Sequence, residues 1–228
     1  MKTLLIIISA GRCGSTNLIN RLNKNEGINI YGENYGALLD LIKSANWFSM
    51  YKTRFINQPN MRLKSRLSSI EEEQIYSQVN GGQKWIGNEF YNNHEILEDT
   101  LRVLNKLIVD FFKVDEPIVG FKEIRWQYYQ NLNWLKHLET LPFKEIKYIK
   151  LNRNIEDQAR SMYTAFNPKN SAEDIPIKYV DYLKRITECE NNINEFLRDI
   201  ESSKKYECNY VEESDLQYNK ILEFIKND

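Results

Sequence analysis

Hydrophobic and polar residues divide the chain into two alternating kinds of segment. Short apolar runs predict strands at residues 4–8, 118–121 and 146–151, with shorter ones within 27–32 and 206–211. Between them, apolar residues recur at helical spacing, which predicts helices at 17–24, 96–112, 155–166, 177–200 and 216–225. Strands that alternate with helices are typical of βαβ units. We therefore predict an α/β fold with a mainly parallel sheet of about five strands flanked by helices.

Composition narrows the class of protein. The chain has 228 residues, of which 42% are hydrophobic and 12% aromatic, as expected for a globular domain. We predict a single domain over 1–228, with a variable basic insert at 43–92. The net charge of -1 gives no general attraction to nucleic acid or acidic membranes, so an anion site must be local.

Cellular setting follows from cysteine use and hydropathy. Three cysteines are too few for a disulfide framework and fit a reducing compartment. No apolar run approaches the roughly 18 to 20 residues of a membrane span. We therefore expect a cytoplasmic protein without membrane insertion. The sequence does not predict an oligomeric state.

The loop that follows the first strand carries the clearest chemical signal. In "LLIIISAGRCGSTNLINRL", Gly14 and Thr16 match the second glycine and the hydroxyl of the ATP-binding pattern G-x-x-x-x-G-K-[ST]. Ser9 replaces the first glycine, and Ser15 replaces the lysine. The backbone N–H groups and the helix N-terminus still favour an anion. This pattern predicts a P-loop-like three-layer domain, but the missing lysine argues against hydrolysis of magnesium nucleotides.

Two further alternatives concern the same loop. An NTPase needs an acidic metal partner at another strand end, whereas the strand ending near residue 151 is followed by Asn152 and Arg153. A cysteine phosphatase places its thiolate before the loop and its arginine after it. Here Arg12 precedes Cys13, so the order is reversed. We interpret Cys13 as a small loop residue rather than a nucleophile.

A basic segment at 43–66 has two interpretations. It contains six lysines and arginines, no acidic residue and several aromatic residues. It is either a solvated basic face or a flap over an anionic ligand, to which arginines donate forked hydrogen bonds. One patch on a nearly neutral chain does not predict nucleic-acid binding.

Four motifs in order resemble the sulfotransferases that use 3′-phosphoadenosine 5′-phosphosulfate (PAPS). They are "SAGRCGSTNL", "YGENYG", "VGFKEIRW" and "IKLNRNIEDQARSMY". The closest likeness is to the branch with bacterial carbohydrate-type and tyrosyl-protein sulfotransferases. The resemblance covers most of the chain and is weakest at residues 46–92. It implies a P-loop-like α/β fold, PAPS as donor, 3′-phosphoadenosine 5′-phosphate (PAP) as product, and no metal.

The resemblance also implies residue roles in binding PAPS. The cradle for the 5′-phosphosulfate would be Gly11, Arg12, Cys13, Gly14, Ser15 and Thr16. Arg153 and Ser161 would bind the 3′-phosphate. Arg12 and Lys122 would stabilise charge on the leaving phosphate oxygen during in-line displacement. For Lys122, the alternative interpretation is a solvated lysine at a strand end.

Glu33 stands where the resembling branch keeps a carboxylate base. His94 is the alternative base, and His137, in a helical pattern, is predicted to be structural. The acceptor is a hydroxyl of a small molecule or glycan, of unpredicted identity. Two rival functions stay open: a P-loop kinase or NTPase relative, and a catalytically silent anion-binding module. The basic glycine-rich C-terminal segment of small-molecule sulfotransferases is absent, so adenine contacts must come from elsewhere, such as 43–66 or 84–93.

Overall fold

A parallel five-stranded sheet in the order β2-β3-β1-β4-β5 organises the protein. The computed structural model describes residues 1–33, 36–57, 94–124, 126–129, 131–166, 175–209 and 215–227, without the side chains of 51–57, 94–96, 127 and 175–178. The strands are β1 (Lys2–Ile8), β2 (Ile28–Tyr31), β3 (Ile118–Glu123), β4 (Phe143–Asn152) and β5 (Lys205–Asn209). The prediction of a mainly parallel sheet of about five strands is confirmed.

Helices cover both faces of the sheet. They are α1 (Ser15–Leu22), α2 (Ala37–Asn57), α3 (His94–Phe111), α4 (Ile155–Phe166), α5 (Ile175–Arg198) and α6 (Asp215–Lys226). Short 3₁₀ turns occur at Trp126–Tyr128, Asn133–Thr140 and Ser202–Lys204. Because parallel strands are buried on both faces, their sequences read as continuous aliphatic runs.

The alternation of side chains along the strands creates two cores. Leu4, Ile6 and Ile8 of β1 pack with residues of α2, α3, α4 and α5, while Leu5 and Ile7 pack with α1 and α6. The three-layer architecture predicted from the sequence is therefore confirmed.

Gly120 permits an unusually close approach between β1 and β3. It lies opposite Leu5 in the parallel pair. A Cβ atom built on Gly120 would lie 2.0 Å from the carbonyl oxygen of Leu5. Since a backbone oxygen cannot rotate away like a side chain, any larger residue at position 120 must separate the two strands.

The sequence missed one large element. Residues 37–57 form the 21-residue helix α2, which includes the first part of the segment interpreted as a basic flap. Its buried residues Leu38, Leu39, Ile42 and Ala45 recur at helical spacing. The rest of that segment, together with 84–93, lies outside the described residues, so the predicted insert stays a prediction.

Candidate functional site

The loop after β1 adopts a left-handed turn that exposes backbone N–H groups. Arg12 has φ 69° and Gly14 has φ 76°. Gly14 is the N-cap of α1 and offers no side-chain oxygen to the first turn of the helix. Such a nest at a helix N-terminus favours an anion, because N–H dipoles converge on one point. The positive φ of Arg12 is strained for a residue with a Cβ atom.

Lys122 lies beneath this loop and contacts two predicted site residues. It is the penultimate residue of β3, and its side chain is only 7% exposed. Its Nζ donates to Thr16 Oγ1 at 2.9 Å and lies 2.6 Å from Glu33 Oε1. A buried ammonium ion needs such partners to offset its lost hydration. The alternative interpretation of Lys122 as a solvated lysine is wrong.

Glu33 reaches this cluster from the neighbouring strand. It lies two positions after β2 ends at Tyr31, and β2 pairs with β3. Its side chain is 26% exposed, so the carboxylate keeps access to solvent while it contacts Lys122. Thr16, Lys122 and Glu33 therefore form one group, which we call the lysine group.

A second cationic group lies on the other neighbour of β1. Arg153 directly follows β4, and its Nη1 donates to the carbonyl oxygen of Arg12 at 2.9 Å. Arg12 Nε donates to Ser161 Oγ at 3.1 Å. We call Arg12, Arg153 and Ser161 the arginine group. Arg153 thus contacts the loop as expected and is linked to Ser161 through Arg12, whose side chain lies in this group and not in the lysine group. The binding of a 3′-phosphate by Arg153 and Ser161 stays a prediction.

Sheet topology explains why both groups meet at one loop. The chain leaves β1 toward β2 on one side, and it leaves β4 toward β5 on the other. Ligands of open parallel sheets bind in the crevice that this divergence creates at the carboxyl ends of the strands. The loop of β1 and Arg153 of β4 border that crevice, while β3 supplies Lys122 from the opposite side of β1.

Cys13 is unsuited to act as a nucleophile. Its side chain is 1% exposed. Burial, and secondarily the negative charge of Glu190, raise the pKa of the Cys13 thiol to about 12, against the opposing influence of Arg153 and Lys150. The thiol is therefore protonated at neutral pH. This agrees with its interpretation as a small loop residue.

The two histidines differ in what the structure describes. His137 is buried in the 3₁₀ turn Asn133–Thr140, and its Nε2 lies 2.8 Å from Asn105 Oδ1. Burial lowers its pKa. Its location in the core fits the predicted structural role. His94 is the first residue of α3, and its side chain lies outside the description, so its role as the alternative base stays a prediction.

Sequence reasoning overlooked an acid at the end of β3. Glu123 follows Lys122, is 1% exposed, and accepts a hydrogen bond from its neighbour Ile124 N–H through Oε1. Successive strand residues face opposite sides of the sheet. Glu123 thus faces the core of α2 to α5, whereas Lys122 faces Thr16. In the sequence, Glu123 is visible as an acid at a strand end, which is the kind of position where an NTPase keeps its acidic metal partner.

The fold and the loop define a P-loop-like α/β protein. Among solved structures, a sulfotransferase domain from the curacin biosynthetic pathway matches at 16% identity, covering 100% of this chain and 74% of the other, with a TM-score of 0.52. A sulfotransferase domain from the Synechococcus PCC 7002 olefin synthase matches at 14% identity over 100% and 74%, with a TM-score of 0.48. Shikimate kinase from Bacteroides thetaiotaomicron matches at 11% identity over 97% and 96%, with a TM-score of 0.40.

The likeness to the curacin-pathway domain supports the P-loop-like α/β fold. No family model matches the chain, and no curated protein matches it. Across the part of the chain that the structure describes, no helix is long and apolar enough to cross a membrane. Within those same residues, no three His, Cys, Asp or Glu side chains form a group that could hold a metal ion.

Proposed function

We propose that the protein is a sulfotransferase that transfers a sulfuryl group from PAPS to a hydroxyl of a carbohydrate or other small molecule. The observation that supports it most is that basic side chains lie on both sides of one P-loop-like turn, Lys122 on one side and Arg12 and Arg153 on the other. A donor with anionic groups at its 5′ and 3′ positions suits two separate basic sites, whereas a nucleotide without a 3′-phosphate would leave one of them unused.

The residues present fit PAPS. The left-handed turn at Arg12 and Gly14 and the N-terminus of α1 suit the 5′-phosphosulfate. Arginines bind phosphate through forked donors, and Arg12, Arg153 and the Ser161 hydroxyl suit a 3′-phosphate. The cradle as we propose it comprises Gly11, Arg12, Cys13, Gly14, Ser15 and Thr16, acting mainly through backbone N–H groups. Its product complex would contain PAP.

Glu33 and Lys122 carry the proposed chemistry. PAPS supplies the sulfuryl group, and the acceptor oxygen forms a bond to sulfur as the bond from sulfur to the bridging phosphate oxygen breaks. Glu33 accepts the proton of the acceptor hydroxyl. Lys122 stabilises the charge that develops on the leaving phosphate oxygen, and Thr16 fixes its ammonium ion. A loose, in-line transition state makes positioning and charge dominant, by analogy with phosphoryl transfer.

Arg12 has a different place in this proposal from the one its sequence position suggested. Its guanidinium bonds to Ser161, so we assign it first to the 3′-phosphate. The sequence-based role of Arg12 in charge stabilisation during transfer would require its side chain to leave Ser161. Its backbone belongs to the cradle in either case.

A kinase or NTPase relative is the first rival. The buried acid Glu123 at the end of β3 is the feature that favours it. Against it, the Thr16 hydroxyl that would bind magnesium accepts a hydrogen bond from the Lys122 ammonium ion, which would repel a divalent cation. A silent anion-binding module is the second rival, and it would bind PAP without transferring sulfate.

Calorimetry with PAP and with ATP plus magnesium tests the nucleotide. We expect tighter binding of PAP, independent of magnesium. Tighter, magnesium-dependent binding of ATP would overturn the proposal in favour of the kinase. Incubation with PAPS carrying labelled sulfate and a panel of glycans and small alcohols then tests catalysis. Label transferred to an acceptor supports the sulfotransferase, whereas PAP binding without any transfer across the panel favours the silent module.

A further inference from the structure

A closed ring of hydrogen bonds links helix α4 to the loop of β1. Gln158 Nε2 donates to the carbonyl oxygen of Arg153 at 2.8 Å. Arg153 Nη1 donates to the carbonyl of Arg12, and Arg12 Nε donates to Ser161 Oγ. Ser161 lies three residues after Gln158, on the same face of α4. The ring therefore starts and ends on one helix.

Gln158 is the buried member of this ring. Its exposure is 0%, whereas the bonds of Arg12 and Arg153 lie at the surface. Its Oε1 has no hydrogen-bond partner among the described residues. A buried carbonyl without a partner is destabilising, and a methionine would fill a similar volume without that defect. Packing alone would therefore favour an apolar side chain over the Gln158 amide. What the amide adds is the hydrogen bond from its N–H group to the carbonyl oxygen of Arg153.

Two other bonds at the start of α4 act on Asn154. Asn154 Oδ1 accepts from Asp157 N–H, and Gln158 N–H bonds to the carbonyl of Asn154, as in an ordinary helix start. These bonds fix Asn154 but not the peptide plane that follows Arg153. The bond from the Gln158 side chain orients that plane, and with it the Cα–Cβ direction from which the Arg153 guanidinium projects.

We propose that Gln158 is a positioning residue that sets the specificity of the arginine group for a 3′-phosphate. This inference rests on the proposed function. By fixing the Arg153 backbone, Gln158 keeps the guanidinium at the carbonyl oxygen of Arg12, whose own side chain bonds to Ser161. Without it, Arg153 keeps its charge but loses its fixed direction.

The test compares the affinities for PAP and for AMP, which differ only in the 3′-phosphate. For Gln158→Met, we expect the ratio of these affinities to fall by about fivefold to tenfold, the value of one hydrogen bond. AMP affinity should change by less than about twofold. A purely structural role would weaken both ligands alike or lower only the melting temperature. An unchanged ratio would overturn the inference.

Two further variants test whether this result is specific to the Gln158 amide. Gln158→Asn keeps the amide but retracts it by one methylene group, so it should lower the ratio of PAP affinity to AMP affinity as well. It provides the test if the methionine variant does not fold. Asn192→Leu is the matched control, because Asn192 Nδ2 also donates to a backbone carbonyl, that of Tyr129 at 3.0 Å. It should leave the ratio unchanged, and a fall equal to that of Gln158→Met would overturn the inference.

The wild-type protein separates this inference from the proposed function. If it binds PAP no more tightly than AMP, then the proposed 3′-phosphate site is wrong. If it prefers PAP and both Gln158 variants keep that preference, then the site stands and only the role of Gln158 is wrong.

Discussion

The lysine group and the arginine group hold their charges in opposite ways. Lys122 is buried, projects from a central strand, and is fixed by Thr16 and Glu33. Arg12 and Arg153 lie on loops, make their bonds at the surface, and are oriented by a backbone carbonyl and a hydroxyl. A residue on a strand holds its side chain within a narrow range of positions, and catalysis requires such precise positioning. Loop residues adapt to a ligand, which suits recognition. We therefore expect substitutions in the lysine group to lower turnover, and substitutions in the arginine group to lower the affinity for PAP.

Glu33→Gln should have the largest effect, because it removes the proposed base but keeps the shape of the side chain. We expect the turnover of PAPS-dependent transfer to fall by about a thousandfold and the affinity for PAP to change by less than about threefold. Steady-state kinetics and calorimetry measure the two quantities. Glu26→Gln is the control, since Glu26 is exposed before β2. Retained turnover in Glu33→Gln would transfer the role of base to another residue, such as His94.

Lys122→Met should separate catalysis from binding. Removal of the buried ammonium ion should lower turnover by about a hundredfold, as for loss of one charge-stabilising donor. KM for PAPS should change less, because backbone N–H groups hold the phosphate. Lys113→Met, at an exposed lysine that precedes β3, provides the comparison. A pure loss of affinity with normal turnover would contradict the role of Lys122 at the leaving group.

Arg153→Ala should show the reverse pattern. We expect PAP affinity to fall by about tenfold to a hundredfold, the range for hydrogen bonds to charged groups, while AMP affinity changes little. Calorimetry with both ligands measures the difference. Arg160→Ala removes an exposed arginine from α4 as a control. Equal losses for PAP and AMP would show that Arg153 does not read the 3′-phosphate.

Cys13→Ala should have the smallest effect on transfer. With a thiol pKa of about 12, Cys13 is protonated throughout the range from pH 6 to pH 9, so turnover should change by no more than about threefold. The shape of the pH–rate profile should also be unchanged. Loss of an alkaline limb, or of activity altogether, would mean that the thiol takes part in the reaction.

The same pKa predicts a dependence of stability on pH. The folded pKa of Cys13 lies above its ordinary value near 9, so the thiol's contribution is fully present below pH 9 and is lost as the pH rises toward 12. In urea titrations, wild-type protein should lose stability between pH 9 and pH 10.5 more steeply than Cys13→Ala. Parallel curves would contradict the raised pKa.

Local sequence signals predicted the parts of the site that lie on one strand or loop. The aliphatic run of β1 and the glycines after it predicted the turn that we propose as an anion site. The run was visible because burial of β1 on both faces leaves no polar position. Arg153 was found because it follows a strand. The charge and position of Lys122 were also visible, but not its burial, because this requires knowledge that β3 lies beside β1 and faces α1.

The sequence pattern of helix α2 and of Glu123 was misinterpreted, and Gln158 had no recognisable pattern. The spacing of Leu38, Leu39, Ile42 and Ala45 indicates a helix, but the basic residues that follow drew the interpretation toward a flap. Glu123 was visible as an acid at a strand end, although its face was not. Gln158 gave no signal, since one polar residue in an amphipathic helix is ordinary until its partner 5 residues away is known.

The absence of a side chain at Gly120 has a consequence for engineering this scaffold. The strand that bears Lys122 can approach β1 only because no atom at position 120 obstructs the Leu5 carbonyl. A methyl group there would act as a wedge two residues from the ammonium ion, widening the gap that the ion must span to reach Thr16. Libraries that aim to alter the choice of acceptor should therefore keep Gly120 constant and vary solvent-exposed residues around the proposed site instead.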